Sequence, residues 1–526
     1  MALENFGGNF GRALRILRVL GEHDATFVFD RFGLPGWMQS VLRIAAGRAK
    51  PEMRALRPGQ RLAAAVQEMG PSFVKFGQTL STRPDVVGDE LAADLALLRD
   101  RLPPFPGAEA RAIIERELDQ SMADLFVSFE DQPVAAASIA QVHFAVTFEG
   151  EAVAVKVLRP GIEDEFAADI ALFTWGAEIL ERWVEGARRL EPAKVVRTFA
   201  RSVQDELDLR LEGAAASEIG ESFVDDPTFK IPDVDWRRTQ RRVLSTERVY
   251  GIPIADRAAL LAAGRDLNKV ADNLLTAFLN QAFRDGFFHA DLHHGNLFVG
   301  EDNRVIAVDF GIMGRLDPKE RRHVGSMLLA FLTEDYRRAA EVHFQAGYVR
   351  RDQSVDSFAQ ALRAIAKPVF DRPPAEVSMG KLLAQLFQVT EVFRMRTQPQ
   401  LLLLQKTLVV VEGLCRDLAP EADMWAVART FLRKWLPSGV AATVQSTMED
   451  AVASVQRIPD LLEAAQRAGA SFTPEGFRLA PMNGSEVPSI TSVSSTPKRG
   501  IINPTRLLMY GITFVLFGWV IFRSLS

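Results

Sequence analysis

The chain has 526 residues, 48% of them hydrophobic and 25% charged, with a formal net charge of −5. That length can bury more than one core and suggests about three domains, while the acidic balance excludes the basic footprint of a nucleic-acid binder. A single cysteine, Cys415, excludes a disulfide framework and a cysteine-based metal site, and fits a reducing compartment. The N-terminus lacks the basic, apolar, small-residue order of a secretory signal.

Residues 1–50 mix short apolar stretches with Arg12, Arg15, Arg18, Arg43 and Arg48. They read either as helices lying on a membrane surface or as a solvated helical extension. Residues 70–78 follow, as Gly-Pro-Ser-Phe-Val-Lys-Phe-Gly-Gln. On a helix Lys75 and Gln78 share a face beside Phe73, Phe76 and Leu80. Taken alone, this is an amphipathic helix with an ordinary lysine. Residues 91–100 are also helical in pattern and stop at Pro103-Pro104.

A helix over 108–120 gives way to strand patterning at 126–129, at 133–143 and at 152–157. Val134, Ala135, Ala136, Ala137, Ser138, Ile139, Ala140, Gln141 and Val142 form a small-residue turn between two strands, and Lys156 lies on the third. This is how a kinase N-lobe opens. A kinase has glycine at three places in that turn; here they hold Ala135, Ala137 and Ala140. Alanine lets the backbone come near a phosphate but disfavours positive φ, so a nucleotide is expected to be held differently.

A lysine on that strand needs a carboxylate to hold it on the phosphates of ATP. The pattern predicts a helix over 161–186 and another over 192–223, the second carrying Glu206-Leu207-Asp208-Leu209-Arg210-Leu211-Glu212. Any of these acids can serve. Arg210 is four residues from Glu206 and could neutralise it, so spacing favours Glu212 or Asp208. Acids on a solvated face are the plain alternative.

A strand over 243–249 leads into a hinge at Tyr250-Gly251, and a helix is expected over 268–285. Then come His289-Ala290-Asp291-Leu292-His293-His294-Gly295-Asn296, strands near 298–299 and 305–308, and Asp309-Phe310-Gly311. This is the order and spacing of a kinase phosphotransfer site. Asp291 would position or deprotonate the attacking hydroxyl, while Asn296 and Asp309, with hard oxygen donors, would hold magnesium on the phosphates. His289 is expected to brace the loop. His293 stands where protein kinases have a phosphate-contacting lysine.

Further helices are expected over 318–333, 336–346, 354–371, 378–394, 398–416, 421–435 and 447–468. Residues 484–499 are rich in Ser, Thr and Pro and read as a flexible linker. Residues 507–522 are almost wholly apolar, with Tyr510 and Trp519 as interfacial anchors. The run is short against the roughly 17–25 residues of a spanning helix, yet it reads as a membrane anchor. Lys498, Arg499 and Arg506 precede it and would keep the body of the protein cytoplasmic.

Together these stretches resemble the UbiB family of atypical, protein-kinase-like proteins linked to ubiquinone biosynthesis. The family's Lys-x-Gly-Gln motif matches residues 75–78, its alanine-rich loop matches 135–142, and its Glu-x-Asp motif matches 206–208. Arg99 departs from the pattern, which usually has Gln there. The resemblance implies an α+β, bilobal protein-kinase-like fold with a helical N-terminal extension and a C-terminal membrane helix. The parts would be an extension over 1–107, an N-lobe with inserted helices over 108–249 and a helical C-lobe over 250–480, followed by a linker over 481–500 and an anchor over 501–526.

The resemblance also implies that Glu212 pairs with Lys156, and that Lys75 and Gln78 reach toward the nucleotide near Glu206 and Asp208. An acidic pair on a mostly buried helix needs a cation, so Lys75 is expected beside Glu206 or Asp208. The implied activity is that of a kinase or ATPase using ATP and Mg2+ at the cell inner membrane, on quinone precursors. Membrane lipids and other ubiquinone-biosynthesis proteins would be its partners, with no nucleic acid. The alternatives are a conventional protein or small-molecule phosphotransferase, which needs an open acceptor cleft, and a non-catalytic scaffold that handles lipid.

Overall fold

Apolar residues at helical spacing dominate the start of the chain. The computed structural model makes them α1 (Glu4–Glu22), α2 (Pro58–Met69), α3 (Pro71–Ser81) and α4 (Asp89–Leu95). It describes residues 4–27, 44–81, 89–95, 98, 103–183, 191–350, 352–370, 393, 395, 398–436, 472–473 and 476–477. Gly70 separates α2 from α3 at φ 116, a backbone conformation that side chains disfavour. Pro71 then opens α3, where its fixed φ suits the first turn and its missing N–H is not needed.

Ile16, Leu17, Val19 and Leu20 of α1 are buried in one cluster with Phe73 and Phe76 of α3. The apolar face of α1 therefore packs into the protein, which corrects the membrane-surface reading of this stretch. The same cluster takes in Phe166 and Phe173 of α7 (Ile162–Trp183) and Phe199 of α8 (Pro192–Glu206). Phe173 lies 5.1 Å from Phe73 and 4.9 Å from Phe76, ring centre to ring centre. Beneath the aromatic rings, buried Asp169 accepts a hydrogen bond from the Ser72 hydroxyl and pairs with Arg12 at 2.6 Å. Burial pushes the Asp169 carboxyl up, against the Ser72 hydrogen bond and the Arg12 charge.

Short helices α5 (Gly107–Leu118) and α6 (Met122–Leu125) lead into an antiparallel sheet of β1 (Phe126–Phe129), β2 (Ala135–Ala136), β3 (Ala140–Thr147), β4 (Ala152–Leu158) and β6 (Val243–Glu247). The strands run in the order β1-β3-β4-β6, with β2 paired to β3. On β4 the period of two sends Val153, Val155 and Val157 into a core with Ile113 and Ile114 of α5. Ala154 and Lys156 face the other way. A second sheet, in the order β5-β10-β9-β7, joins β5 (Phe229–Lys230), β7 (Ile252–Pro253), β9 (Leu297–Val299) and β10 (Val305–Ala307).

The helix expected over 192–223 is two helices. It breaks after Glu206, and α9 (Leu209–Glu221) begins at Asp208, whose side chain caps the new N-terminus by accepting from the Arg210 N–H. Asp208, extended at the cap, therefore does not share a continuous helix face with Glu212 as their four-residue spacing suggests.

The chain divides into two compact units. Among the described residues, the first runs through Ile254 and also contains Gly295–Ile312; the second contains Ala255–His294 and the described residues beyond Met313. The second unit holds α10 (Arg257–Ala262), α11 (Leu267–Leu279), a two-stranded sheet of β8 (Phe287–His289) and β11 (Met313–Arg315), and five further helices. These are α12 (Pro318–Leu332), α13 (Tyr336–Gln345), α14 (Val355–Phe370), α15 (Pro399–Leu418) and α16 (Met424–Trp435). The helix expected over 268–285 is α-helical only to Leu279; residues Asn280–Asp285 form a π turn that ends at Gly286, φ 73. Gly314 of β11 lies so close over the Phe288 ring that an added Cβ would sit 2.2 Å from it.

Among the described residues, no helix is long and apolar enough to cross a membrane. The expected helix at 378–394, apart from residue 393, and that at 447–468, Arg99, the linker at 481–500 and the anchor at 501–526 lie outside the described residues.

Phe173 is the centre of the aromatic cluster that seats α3. Phe173→Ala should cost roughly 3–5 kcal/mol of stability, the usual range for a buried phenylalanine. Urea denaturation checks this, and hydrogen exchange should show α3 losing protection first.

Candidate active site

Lys156 occupies the centre of the first sheet, opposite Val142 on β3 and Leu244 on β6. Its Nζ donates to both oxygens of Glu212, at 2.7 and 2.8 Å, and lies 3.4 Å from Oδ1 of Asp309. Glu212 stands one turn into α9, and the lack of a side chain at Gly213 brings that helix close over Leu244 and Trp236. Burial alone would lower the Lys156 ammonium's affinity for its proton, but Asp309 and Glu212 outweigh it and hold lysine above its ordinary range. Burial also pushes the Glu212 carboxyl up to about 7; Lys156 opposes this and Asp309 adds to it. The Phe310 N–H donates to the same carboxylate.

Of the acids that spacing left open, the structure pairs Glu212 with Lys156. Lys75, from α3, pairs instead with Glu206 at 3.0 Å, and both side chains are largely buried, 18% and 12% exposed. Asp208 is held by Arg210 at 2.7 Å, and this hydrogen bond lowers its carboxyl below the ordinary range. Arg210 therefore serves Asp208, not Glu206 as spacing suggested. Gln78 lies half-buried on α3, one turn beyond Lys75.

The alanine-rich turn is tighter than the sequence showed. Ala135 and Ala136 already pair with Val142 and Gln141, so the reversal comprises only Ala137, Ser138 and Ile139. The Ala137 N–H donates to the Ala140 carbonyl at 2.8 Å. Arg159 donates to the Ala137 carbonyl at 2.8 and 3.2 Å. Arg159 was not singled out from sequence; its place just past the lysine strand carries no motif. Val134 and Ala135 are exposed, Ser138 is buried, and Ile139 packs on the aromatic cluster. The Gln141 side chain is buried, bonded to the Phe105 backbone and to His143, so a nucleotide would meet the backbone there.

The metal-ligand candidates sit at the end of one hairpin. Strands β9 and β10 pair Leu297 with Ala307, and the next rung joins the Val308 N–H to the Asn296 carbonyl at 2.9 Å. Asn296 and Asp309 thus leave the hairpin from the same end. Asp309 has φ 68, and its Oδ1 accepts from the Gly311 N–H. An amide and a half-exposed carboxylate at adjoining strand ends are hard oxygen donors, which fits magnesium.

The catalytic-loop candidates belong to the second unit. Strand β8 pairs with β11, setting His289 opposite Met313. His289 is buried; its N–H donates to Gln281, and its Nδ1 accepts the Asp291 N–H at 3.1 Å. That brace is the one expected from sequence. The Asp291 carboxylate lies 3.7 Å from His293 Nε2 and 3.3 Å from Lys406 Nζ. Lys406 was missed, although the signal was present: it is a lone cation inside the apolar run 401–411 of α15.

A lysine strand, its helix-borne glutamate and an Asn–Asp hairpin define a protein-kinase-like fold. Residues 97–343 match the ABC1 atypical kinase-like domain, and residues 362–423 match the UbiB helical domain. The chain is 42% identical to a probable protein kinase UbiB of Marinobacter nauticus over 82% of this chain and 80% of that protein. It is 39% identical to the Azotobacter vinelandii protein of the same name, over 87% and 86%. A Mycobacterium tuberculosis protein solved with erythromycin shares the fold, with a TM-score of 0.50 and 24% identity over 67% of this chain and 90% of that one. The chain belongs to the UbiB family.

The charge cluster makes stability depend on pH. The unfolded chain releases the Glu212 proton near 4.5 and the folded chain near 7, so between those values folding takes up a proton and stability falls as pH rises. Glu212→Gln keeps the neutral form at every pH. Its melting temperature relative to the parent protein should therefore rise from pH 5 to pH 8, as thermal melts across that range would show.

Proposed function

We propose that the protein is an atypical kinase or ATPase that binds Mg-ATP and supports ubiquinone biosynthesis. It works at the cytoplasmic face of the cell inner membrane, on lipid-like quinone precursors. The observation that carries this reading is the grip of Glu212 on Lys156 beside Asp309. In kinases such a lysine holds the nucleotide phosphates, and the glutamate keeps it aimed.

Lys156 binds the phosphates under the backbone of the alanine turn. Asn296 and Asp309 would hold the metal. Magnesium, when bound, neutralises charge on the β- and γ-phosphate oxygens. Asp291 orients the nucleophile. When water attacks, its oxygen bonds to the γ-phosphorus as the bond from that phosphorus to the β–γ bridging oxygen breaks. ADP leaves with the electrons of that bond, and the proton of the water passes to the Asp291 carboxylate.

The Lys75–Glu206 pair supports a small or lipid acceptor. It fastens the Lys-x-Gly-Gln helix to the helix pair that carries Glu212, where an open cleft would otherwise serve a protein substrate. The apolar residues 507–522 support membrane attachment and contact with membrane lipids. Membership of the UbiB family supports this pathway, with other ubiquinone-biosynthesis proteins as partners.

The test is magnesium-dependent ATP hydrolysis by the full chain, with and without vesicles containing quinone precursors. Turnover should rise with the vesicles and fall roughly a hundredfold or more in Asp309→Asn, as for loss of a group that stabilises developing charge. Unchanged turnover in Asp309→Asn would sink the reading. Rapid phosphorylation of a protein acceptor would replace it with a conventional phosphotransferase.

A further inference from the structure

We propose that Lys406, on the UbiB helical domain, is a working part of the phosphoryl-transfer chemistry. It holds Asp291 as an oriented carboxylate and supplies the cation that protein kinases place two residues after their catalytic aspartate. This rests on the reading of Asp291 as the base.

Lys406 Nζ lies 3.3 Å from Asp291 Oδ1, across 115 residues of chain. The rotation of α15 is fixed by a buried stripe at Leu404, Thr407, Val411, Cys415 and Leu418. Cys415 Sγ also donates to the Ala271 carbonyl of α11, at 3.5 Å. Lys406 lies off that stripe, on the exposed side. The pair itself is open, with side chains 48% and 30% exposed. An ion pair this accessible adds little to stability, so its value lies elsewhere.

Two residues after Asp291 this chain has His293, whose Nε2 is 3.7 Å from the other carboxylate oxygen. A lysine from a separate helix meets the same carboxylate at Oδ1. Its ammonium keeps Asp291 aimed, and Asp291 takes the nucleophile's proton. Asp291 is faced by Lys406 from α15, by His293 from its own loop and by the backbone brace to His289.

The test compares Lys406→Met, which keeps the stem, with Lys406→Arg, which keeps the charge. Each is measured for kcat, nucleotide affinity and melting temperature. In Lys406→Met kcat should fall about tenfold or more, a part of the roughly 10²–10⁴ that a positioned acid or base supplies. Nucleotide affinity and melting temperature should stay near those of the parent. Lys406→Arg should restore the rate. An active parent with an equally active Lys406→Met variant overturns the proposal alone. So does a rate loss that tracks melting temperature and is not rescued by arginine. A parent with no turnover removes the reading of Asp291 and this proposal with it.

Discussion

One ammonium joins two carboxylates in the first unit, and the nucleotide side depends on that contact. Lys156 grips Glu212 with two short hydrogen bonds and reaches Asp309 at a longer distance. Lys156 and Glu212 are largely buried, where an unpaired charge is costly, while Asp309 stays half-exposed at the end of its hairpin. One ammonium therefore ties the glutamate of α9 to the carboxylate at the end of the Asn296–Asp309 hairpin, and the two parts of the site are held in register by it.

The N-terminal helices serve the same unit. An isolated stretch such as 70–81 reads as a common amphipathic helix, and nothing in its periodicity assigns Lys75 a partner. Phe73 and Phe76 provide the placement: they lock α3 against Phe173, and Lys75 then emerges on the side that meets Glu206. The Ser72–Asp169–Arg12 contacts add directional bonds to a contact that apolar packing alone would leave free to slide.

Chain order revealed the parts whose chemistry demands fixed spacing. Asp291, Asn296 and Asp309 could be read because a loop and a hairpin of set length separate them, and the β4 lysine because valines alternate around it. The break at Leu207–Asp208 was hidden, since apolar spacing continues through it and only the capping bond of Asp208 marks the end of one helix and the start of another. Arg159 was hidden for a different reason: it acts on Ala137, 22 residues away in sequence, and no local pattern encodes such a meeting. Lys406 stood out as a lone cation in an apolar run, but nothing local names Asp291 as its partner. The assignment of Gly295–Ile312 to the first unit was likewise invisible, because it follows from strand pairing of β10 with β5.

The alanine turn has a thermodynamic consequence. A glycine-rich lid is mobile and must be ordered when nucleotide arrives. Here Ala137 is bonded to Ala140 within the reversal, and Arg159 clamps its carbonyl from behind. Little backbone freedom is left for a ligand to remove, so the entropic penalty of closure is already met during folding. The same stiffness denies the lid the ability to remould itself around nucleotides of different shape, and it trades adaptability for a preset mould.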